Sequence, residues 1–341
     1  MEIATLGPGV ILTGMVVATS VLYIYIFMSK IKINSTDLEV TRINLGGNSF
    51  GWTLDEAGSF EILDGFVNHG GNFIDTADTY PWWVNGTGGL SEAIIGKWMK
   101  ERGNRENLVI ATKVGSENQE HGFDISRGHV LKSIDESLQR LQTDYIDLYY
   151  THFDDDKTPV EETLSAYAEA IKAGKIRYIA ASNLSPERLT ASFDASEREN
   201  LPKYVAFQPQ YNLVERAGYE NDYLPLVEKY GLSVFPYYAL ASGFLSGKYR
   251  SEADFGKSPR GGGAARYLNE KGLAVLSALD EVSAKHNTSQ AAVALAWLMA
   301  QPHIGAPIAS ATNQNQLETL FEAVRLNLDK EDLELLDNAS R

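Results

Sequence analysis

The chain of 341 residues contains no cysteine. Disulfides, thiolate metal sites and a cysteine nucleophile are thereby excluded, and a reducing compartment fits. Positive charge is also scarce: 30 Lys and Arg stand against 45 Asp and Glu, a net charge of −15. A chain with an isoelectric point near 4.9 lacks the cationic surface that neutralises phosphates, so nucleic acid is not an expected partner. No GxGxxG occurs, which removes the glycine fingerprint of a Rossmann dinucleotide site. Beyond residue 30 no proline-rich linker, charge block or low-complexity tract interrupts the chain. What is present is ordinary globular composition, 44% hydrophobic and 22% charged, enough to bury a full core.

One segment departs from that composition. No charge occurs between Ile3 and Ser29, and Val10 to Met28 reads VILTGMVVATSVLYIYIFM, close to the ~20 apolar residues that span a bilayer. A secretory signal fits poorly, because Glu2 stands where a basic n-region belongs and no small-residue cleavage site precedes Ser29. Three readings remain: a membrane anchor, a start at Met28 with the residues before it misassigned, or a docked helix. As an anchor, Lys30 and Lys32 would hold the following domain in the cytoplasm by the positive-inside bias. A membrane is therefore a partner only if residues 10–28 are an anchor, and the domain of residues 30–341 is expected to be cytoplasmic.

That domain reads as one repeated unit. Short β-branched or apolar runs alternate with stretches of helical period, the pattern of a parallel α/β sheet. Strands are expected at Ile43 to Leu45, Asn72 to Ile74, Leu108 to Ala111, Ile146 to Tyr150, Arg177 to Ala180, Tyr204 to Phe207, Ser233 to Pro236 and Gly305 to Ile308. Helix starts are expected at Ser91, at Ser185 before Pro186 and at Ser289, with stops at Gly103, Gly174 and Gly231. Eight strand-helix units in about 300 residues fit a (β/α)8 TIM barrel. The gap from Pro236 to Gly305 is longer than the others and is expected to carry an inserted binding loop and two helices.

Barrel chemistry collects where strands end. The residues there are Asp75, Lys113, His152, Ser182, Asn183, Gln208 and Tyr237, with Tyr80 five residues beyond Asp75 in the sequence DTADTY. Asp75, Tyr80, Lys113 and His152 make an acid-base set. A phenol near pKa 10 is a poor donor at pH 7, and an adjacent ammonium is expected to lower that value while Asp75 keeps the lysine charged. Such a set suits protonation of a carbonyl oxygen while hydride arrives at carbon.

FIDTADTY, GGLSEAIIG, VIATK, SLQRLQTDYIDLYYTH, IAASN, FQPQYNLVER, YYALASGFLSGKY and PIASATNQNQLETL follow one another in an order that resembles the aldo-keto reductase superfamily, from about Asn34 to Asp337. The resemblance implies a TIM barrel that reduces aldehydes or ketones reversibly with NAD(P)H and without a metal. It implies the tetrad Asp75, Tyr80 as proton donor, Lys113 and His152. Carboxamide contacts fall on Ser182, Asn183 and Gln208, and the stacking aromatic on Tyr237. The loop from Leu240 to Lys248, with Gly243 and Ser246, is expected at the pyrophosphate. Ser310, Asn313 and Gln316 are expected at the adenosine end. Relatives that prefer NADPH often carry an arginine where Thr312 stands here, so Lys248, Arg260 or Arg266 would have to supply that charge. NADP(H) is expected over NAD(H). The loop PWWVNGTGGLSE replaces a shorter turn, and Trp82 and Trp83 with Phe50, Trp52 and Phe153 are expected as aromatic walls for a bulky carbonyl compound.

Two other readings stand beside this one. A cofactor-binding redox sensor on the same scaffold, like potassium-channel beta subunits, would need no proton donor. A hydrolase using Asp154 and Asp155 would need paired carboxylates, although adjacent acids in HFDDDKTP read more simply as a solvated loop.

Overall fold

The computed structural model describes residues 30–341. The apolar segment of residues 1–29 lies outside the described residues, and with it the readings of anchor, false start and docked helix. Among the described residues no helix is long and apolar enough to cross a membrane.

A hairpin comes first, β1 (Ile31–Lys32) pairing antiparallel with β2 (Glu39–Val40). Eight strands then form one parallel sheet: β3 (Asn44–Gly46), β4 (Phe73–Asp75), β5 (Val109–Val114), β6 (Ile146–Thr151), β7 (Ile176–Ser182), β8 (Ala206–Gln208), β9 (Ser233–Val234) and β10 (Ile308–Ala309). The sheet closes on itself. The Gly305 amide donates to the Val234 carbonyl at 2.9 Å, and the Ile308 amide to the Pro236 carbonyl at 2.9 Å. Every expected strand is present, with ends displaced by three residues at most.

Helices cover the outside. α1 (Glu56–Asn68), α2 (Leu90–Arg102), α3 (Arg127–Leu141), α4 (Val160–Lys172), α5 (Pro186–Glu199) and α6 (Leu224–Tyr230) follow β3 to β8 in turn. The long connection after β9 holds tight turns at Ala241–Ser246 and Glu252–Lys257, then α7 (Glu270–His286) and α8 (Gln290–Ala300). α9 (Gln314–Arg325) and α10 (Lys330–Ser340) follow β10. This is the expected (β/α)8 barrel with its inserted loop. The Ser185 and Ser289 side chains cap α5 and α8 as expected, and Gly103 and Gly231 end α2 and α6 in the left-handed conformation. Ser91 does not cap α2. Gly89, at φ 79°, takes that position, and the Ser91 hydroxyl inside the first turn donates to the Gly47 carbonyl at 2.8 Å.

Strand alternation sorts the side chains into two cores. Ile74, Ile110, Tyr149, Ile179, Ala181, Phe207 and Val234 face the helices. Phe73, Val109, Ala111, Leu148, Tyr150, Ala180, Ala206 and Phe235 fill the barrel. The β1–β2 hairpin was not legible in the sequence, because two-residue strands carry no measurable period. It puts Ile33, Leu38 and Val40 into the inner core and closes the N-terminal end of the barrel. Asn72 fixes it there, accepting from the Thr41 amide at 2.9 Å and donating to the Glu39 carbonyl at 2.8 Å.

The helical layer is tightest at Gly96, where an added Cβ would lie 2.2 Å from the Arg140 carbonyl oxygen and 2.6 Å from the Leu141 backbone. Gly96→Ala is expected to cost about 1–3 kcal/mol by overpacking α2 against α3. Gly128→Ala in α3, where a Cβ meets nothing within 4 Å, is expected to stabilise by up to about 1 kcal/mol. Urea unfolding of the two variants checks both signs.

Candidate active site

The inner register continues past the core toward the C-terminal mouth. Two residues beyond Phe73, Ala111, Tyr150, Ala180, Ala206 and Phe235 come Asp75, Lys113, His152, Ser182, Gln208 and Tyr237. The strand pleat therefore delivers six expected site residues to one polar layer. Lys113 is fully buried and Asp75 nearly so. The Lys113 ammonium forms an ion pair with Asp75 Oδ1 and donates to the Thr76 carbonyl at 2.6 Å. Gln208 Nε2 donates to the other Asp75 oxygen at 3.0 Å. Tyr80 completes the group: its ring centre lies 4.9 Å from Lys113 Nζ and 5.9 Å from the His152 ring, edge to face.

Electrostatics set the protonation states. Burial would lower Lys113, but Asp75 and Tyr80 outweigh it and leave the ammonium held above its ordinary value. Burial raises Asp75, with Lys113 opposing. Burial and the Lys113 charge push His152 well below its ordinary value, so its imidazole is neutral at pH 7. Its Nδ1 is buried without a partner. Tyr80 corrects the expectation drawn from sequence. Burial raises the phenol above its ordinary value, and Lys113 offsets this only in part. The site thus offers a protonated phenol beside a fixed ammonium.

A second chain of bonds runs across the mouth. The Ser182 hydroxyl donates to the Gln208 carbonyl at 2.8 Å, Asn183 Nδ2 donates to Ser182 Oγ and to the His152 carbonyl at 2.9 Å each, and the Tyr237 hydroxyl donates to Asn183 Oδ1 at 2.7 Å. Asn183 sits at φ 49°, a conformation asparagine tolerates better than most residues.

The loop after β9 turns through three consecutive left-handed residues, Ala241, Ser242 and Gly243. The Ala241 amide at the head of this turn donates to the Tyr238 carbonyl at 2.7 Å. Leu240 starts the turn, its carbonyl accepting from the Gly243 amide at 2.8 Å, and Ser246 closes it onto the Gly243 carbonyl at 2.7 Å. A Cβ at Gly243 would stand 3.3 Å from Lys248 Nζ, so the ammonium and the turn share one space. Among the described residues neither Lys248 nor Arg260 is paired with a carboxylate. Ser310, after β10, donates to Asn48 Oδ1 at 2.8 Å, and Arg260 donates to the same oxygen at 3.0 Å. Asn313 caps α9 by accepting from the Gln316 amide at 3.0 Å, while Gln316 Oε1 accepts from the Thr312 amide at 2.8 Å and its hydroxyl at 3.0 Å. These three residues line up at the rim, exposed or partly so.

Aromatic side chains surround the opening. Trp83 packs edge-on against Trp52 with centres 5.4 Å apart and lies 6.0 Å from Tyr80; Trp82 lies behind it at 6.5 Å. Phe153 packs on His152 at 4.8 Å. Phe50 does not join this wall. It is fully buried in the outer core, because the turn at Gly47–Ser49 rotates it away from the mouth.

A sequence profile of the Aldo/keto reductase family matches residues 42–341. The chain belongs to the aldo-keto reductase family. It is similar to an uncharacterized oxidoreductase, YrpG, of Bacillus subtilis, 34% identical over 316 residues that cover 90% of this chain and 94% of the relative. It is also similar to a probable voltage-gated potassium channel subunit beta of Arabidopsis thaliana, 31% identical over 302 residues, 86% and 90% of the two chains. A norsolorinic acid reductase of Aspergillus flavus is 32% identical over 326 residues, 91% and 80%. This aldo-keto reductase is an oxidoreductase, and the family uses nicotinamide cofactors.

Asn48 and Phe123 escaped sequence reasoning. Asn48 follows the first barrel strand, in a short turn that carries no signal of its own, and Phe123, 5.4 Å from Phe153, sits in a loop with no period to read. Asp154 and Asp155 are accounted for as structure. Asp154 pairs with Arg188 at 2.9 Å, and Asp155 accepts from the Ile125 amide and the Thr158 hydroxyl. They do not form the opposed pair a glycosidase needs.

Removing the ammonium strands a buried carboxylate. Lys113→Met is expected to destabilise this aldo-keto reductase by about 3–5 kcal/mol. The loss grows as pH rises above the unfolded carboxyl range, because Asp75 must then stay protonated in the folded state while it ionises in the unfolded one. Adding Asp75→Asn recovers part of that stability, which chemical denaturation at two pH values can measure.

Proposed function

We propose that this protein reduces aldehydes or ketones to alcohols with NAD(P)H, reversibly, and that Tyr80 supplies the proton. The observation that carries the reading is a neutral phenol, a neutral imidazole and a buried ammonium-carboxylate pair meeting at one mouth of the barrel. A nicotinamide dinucleotide supplies a hydride to the carbonyl carbon when bound. The residues present fit such a group: the Lys248 ammonium, held against the open turn at Gly243, suits a pyrophosphate, and Ser182, Asn183 and Gln208 offer amide and hydroxyl groups beside the tetrad.

The residues divide the work. The Tyr80 phenol gives its proton to the carbonyl oxygen. Lys113 stabilises the phenolate left behind, and Asp75 keeps Lys113 charged. Neutral His152 donates a hydrogen bond to the same substrate oxygen and so orients the carbonyl. Run backwards, the phenolate takes the alcohol proton. NADP(H) is favoured over NAD(H), supported by Lys248 and Arg260, two cations without acidic partners beside the loop. The tryptophan walls support a bulky or aromatic carbonyl substrate. Residues 30–341 are taken as one barrel domain that works in the cytoplasm. A regulatory reading is favoured by the similarity to a potassium channel subunit beta, and it would show as cofactor binding without turnover.

Tyr80→Phe is expected to lower kcat by at least about 10²-fold while fluorescence titration shows NADPH binding unchanged, since the substitution removes the proton and little volume. Normal carbonyl reduction by that variant would remove Tyr80 from the mechanism. Trp83→Ala should raise KM for aromatic aldehydes more than for small aliphatic ones. His69, His121 and His129, which lie outside the tetrad, should tolerate replacement in the same assay.

A further inference from the structure

One serine reaches both ends of the turn that runs from Asp75 to Tyr80, and the reaction above does not use it. The Ser91 amide donates to the Tyr80 carbonyl at 3.2 Å, and the Ser91 hydroxyl accepts from the Thr76 hydroxyl at 2.8 Å. The same hydroxyl donates to the Gly47 carbonyl at 2.8 Å, which fastens the turn to the end of β3. Thr76 in turn serves Lys113. Its carbonyl accepts from the Lys113 ammonium at 2.6 Å, while its amide donates to the Ala111 carbonyl of β5 at 2.9 Å. The Tyr80 amide closes the turn onto the Ala77 carbonyl at 3.1 Å. Two hydroxyls thus join β3 and α2 to the turn that supplies both an acceptor for Lys113 and the Tyr80 phenol.

A serine at the start of a helix ordinarily serves as its cap. Here Gly89 holds the cap position and no side chain bonds the first amides of α2, so the Ser91 hydroxyl is spent on the turn instead. Ser91 and Thr76 are both fully buried. A Cβ at Gly47 would lie 2.9 Å from Ser91 Oγ and 3.2 Å from the Asp75 carbonyl oxygen, so the surrounding space is filled and gives no room for a water in place of a missing hydroxyl. Next to Ser91, Glu92 anchors the helix end: it accepts from the Thr112 hydroxyl at 2.5 Å and pairs with Arg140 of α3 at 2.7 Å. Ser91 therefore acts from a fixed base. Removing its hydroxyl leaves the Thr76 hydroxyl and the Gly47 carbonyl unpaired in a dry site, and the turn must shift to relieve them.

Resting on the reductase reading, we propose that Ser91 is a positioning residue for Lys113 and Tyr80, its hydroxyl holding the turn so that the Thr76 carbonyl stays on the ammonium and the phenol stays at the mouth. Ser91 hydrogen-bonds neither of those side chains and acts through the turn. Misplacing a reacting group by about 1 Å can cost about 10²-fold in rate, so a small shift of the turn is enough.

Ser91→Ala and Thr76→Val each delete one hydroxyl of the pair, the second with almost no change of shape. Alanine is also the better helix former, so melting of α2 does not account for a loss in the first. Both are expected to lower kcat by about 10-fold or more, with KM and NADPH affinity by fluorescence titration held within about twofold. Thr76→Ser keeps the hydroxyl and should recover most of what Thr76→Val loses. Combining Thr76→Val with Ser91→Ala should add less than about twofold to the loss from Ser91→Ala alone, because both break the same bond. Amide hydrogen exchange reads the placement without turnover. In Ser91→Ala the Thr76, Asp78 and Tyr80 amides, bonded to the Ala111, Lys113 and Ala77 carbonyls, should exchange about 10-fold faster while those of α3 do not change. An unchanged kcat in either single variant, a Thr76→Ser no better than Thr76→Val, losses that multiply in full, or unchanged exchange overturns the proposal. If one single variant fails to fold the other decides, and failure of both overturns it too, since the hydroxyl pair then serves the fold alone. Failure of the reductase reading shows separately, as absence of turnover in the unsubstituted protein, and the exchange result still reports on Ser91.

Discussion

A lysine whose ammonium is entirely shut away from water is the demand around which the mouth of this barrel is organised. The desolvation of Lys113 is offset only if a carboxylate and further acceptors meet it at close range. Asp75 and the Thr76 carbonyl do so. The remaining oxygen of Asp75 is taken by Gln208, whose carbonyl takes Ser182, whose hydroxyl takes Asn183, whose amide oxygen takes Tyr237. One buried charge therefore propagates through β4, β8 and β7 to the end of β9. Each link is a side chain that the strand pleat has already turned inward.

The same pleat explains the contrast between the two ends of the barrel. Near the N-terminal end the inward residues are small or aromatic, Ala111, Ala180 and Ala206 beside Phe73, Tyr150 and Phe235. The hairpin adds Ile33, Leu38 and Val40 and shuts that end. One register step toward the mouth, the inward positions become Asp75, Lys113, His152, Ser182, Gln208 and Tyr237. Packing stability and chemistry occupy successive layers of one cylinder, so the polar layer rests on a rigid floor.

Much of this was legible because period carries it. Long apolar faces such as that of α4 and six-residue strands such as β5 announce themselves, and residues at strand ends can be read off once the strands are placed. The fold, and the meeting of Asp75, Tyr80, Lys113 and His152 at one mouth, followed from that. What period does not carry was missed or misjudged. The two-residue strands of the hairpin are below any window. The Ser91 hydroxyl looked like a cap but is spent on Gly47, because Gly89 could adopt φ 79° at no steric cost. Phe50 looked like a wall, and a three-residue turn buried it. The Tyr80 error was one of magnitude: sequence shows that an ammonium is near a phenol but not how deeply both are buried, and burial prevails.

For the proposed reduction, the burial of the Tyr80 phenol sets how the four groups would have to work together. A phenol made harder to ionise is a weak acid in its resting state, so its proton leaves readily only if the charge it leaves behind is met at once by Lys113 and the oxygen it protonates is held by a neutral donor. His152 meets the second condition because the Lys113 ammonium, together with burial, keeps the imidazole uncharged. Lys113 meets the first because Asp75 keeps it charged. Each group owes its protonation state to another, so the four act as one unit. Losses from single substitutions in such a unit do not sum, since removing one member already disables what the others contribute.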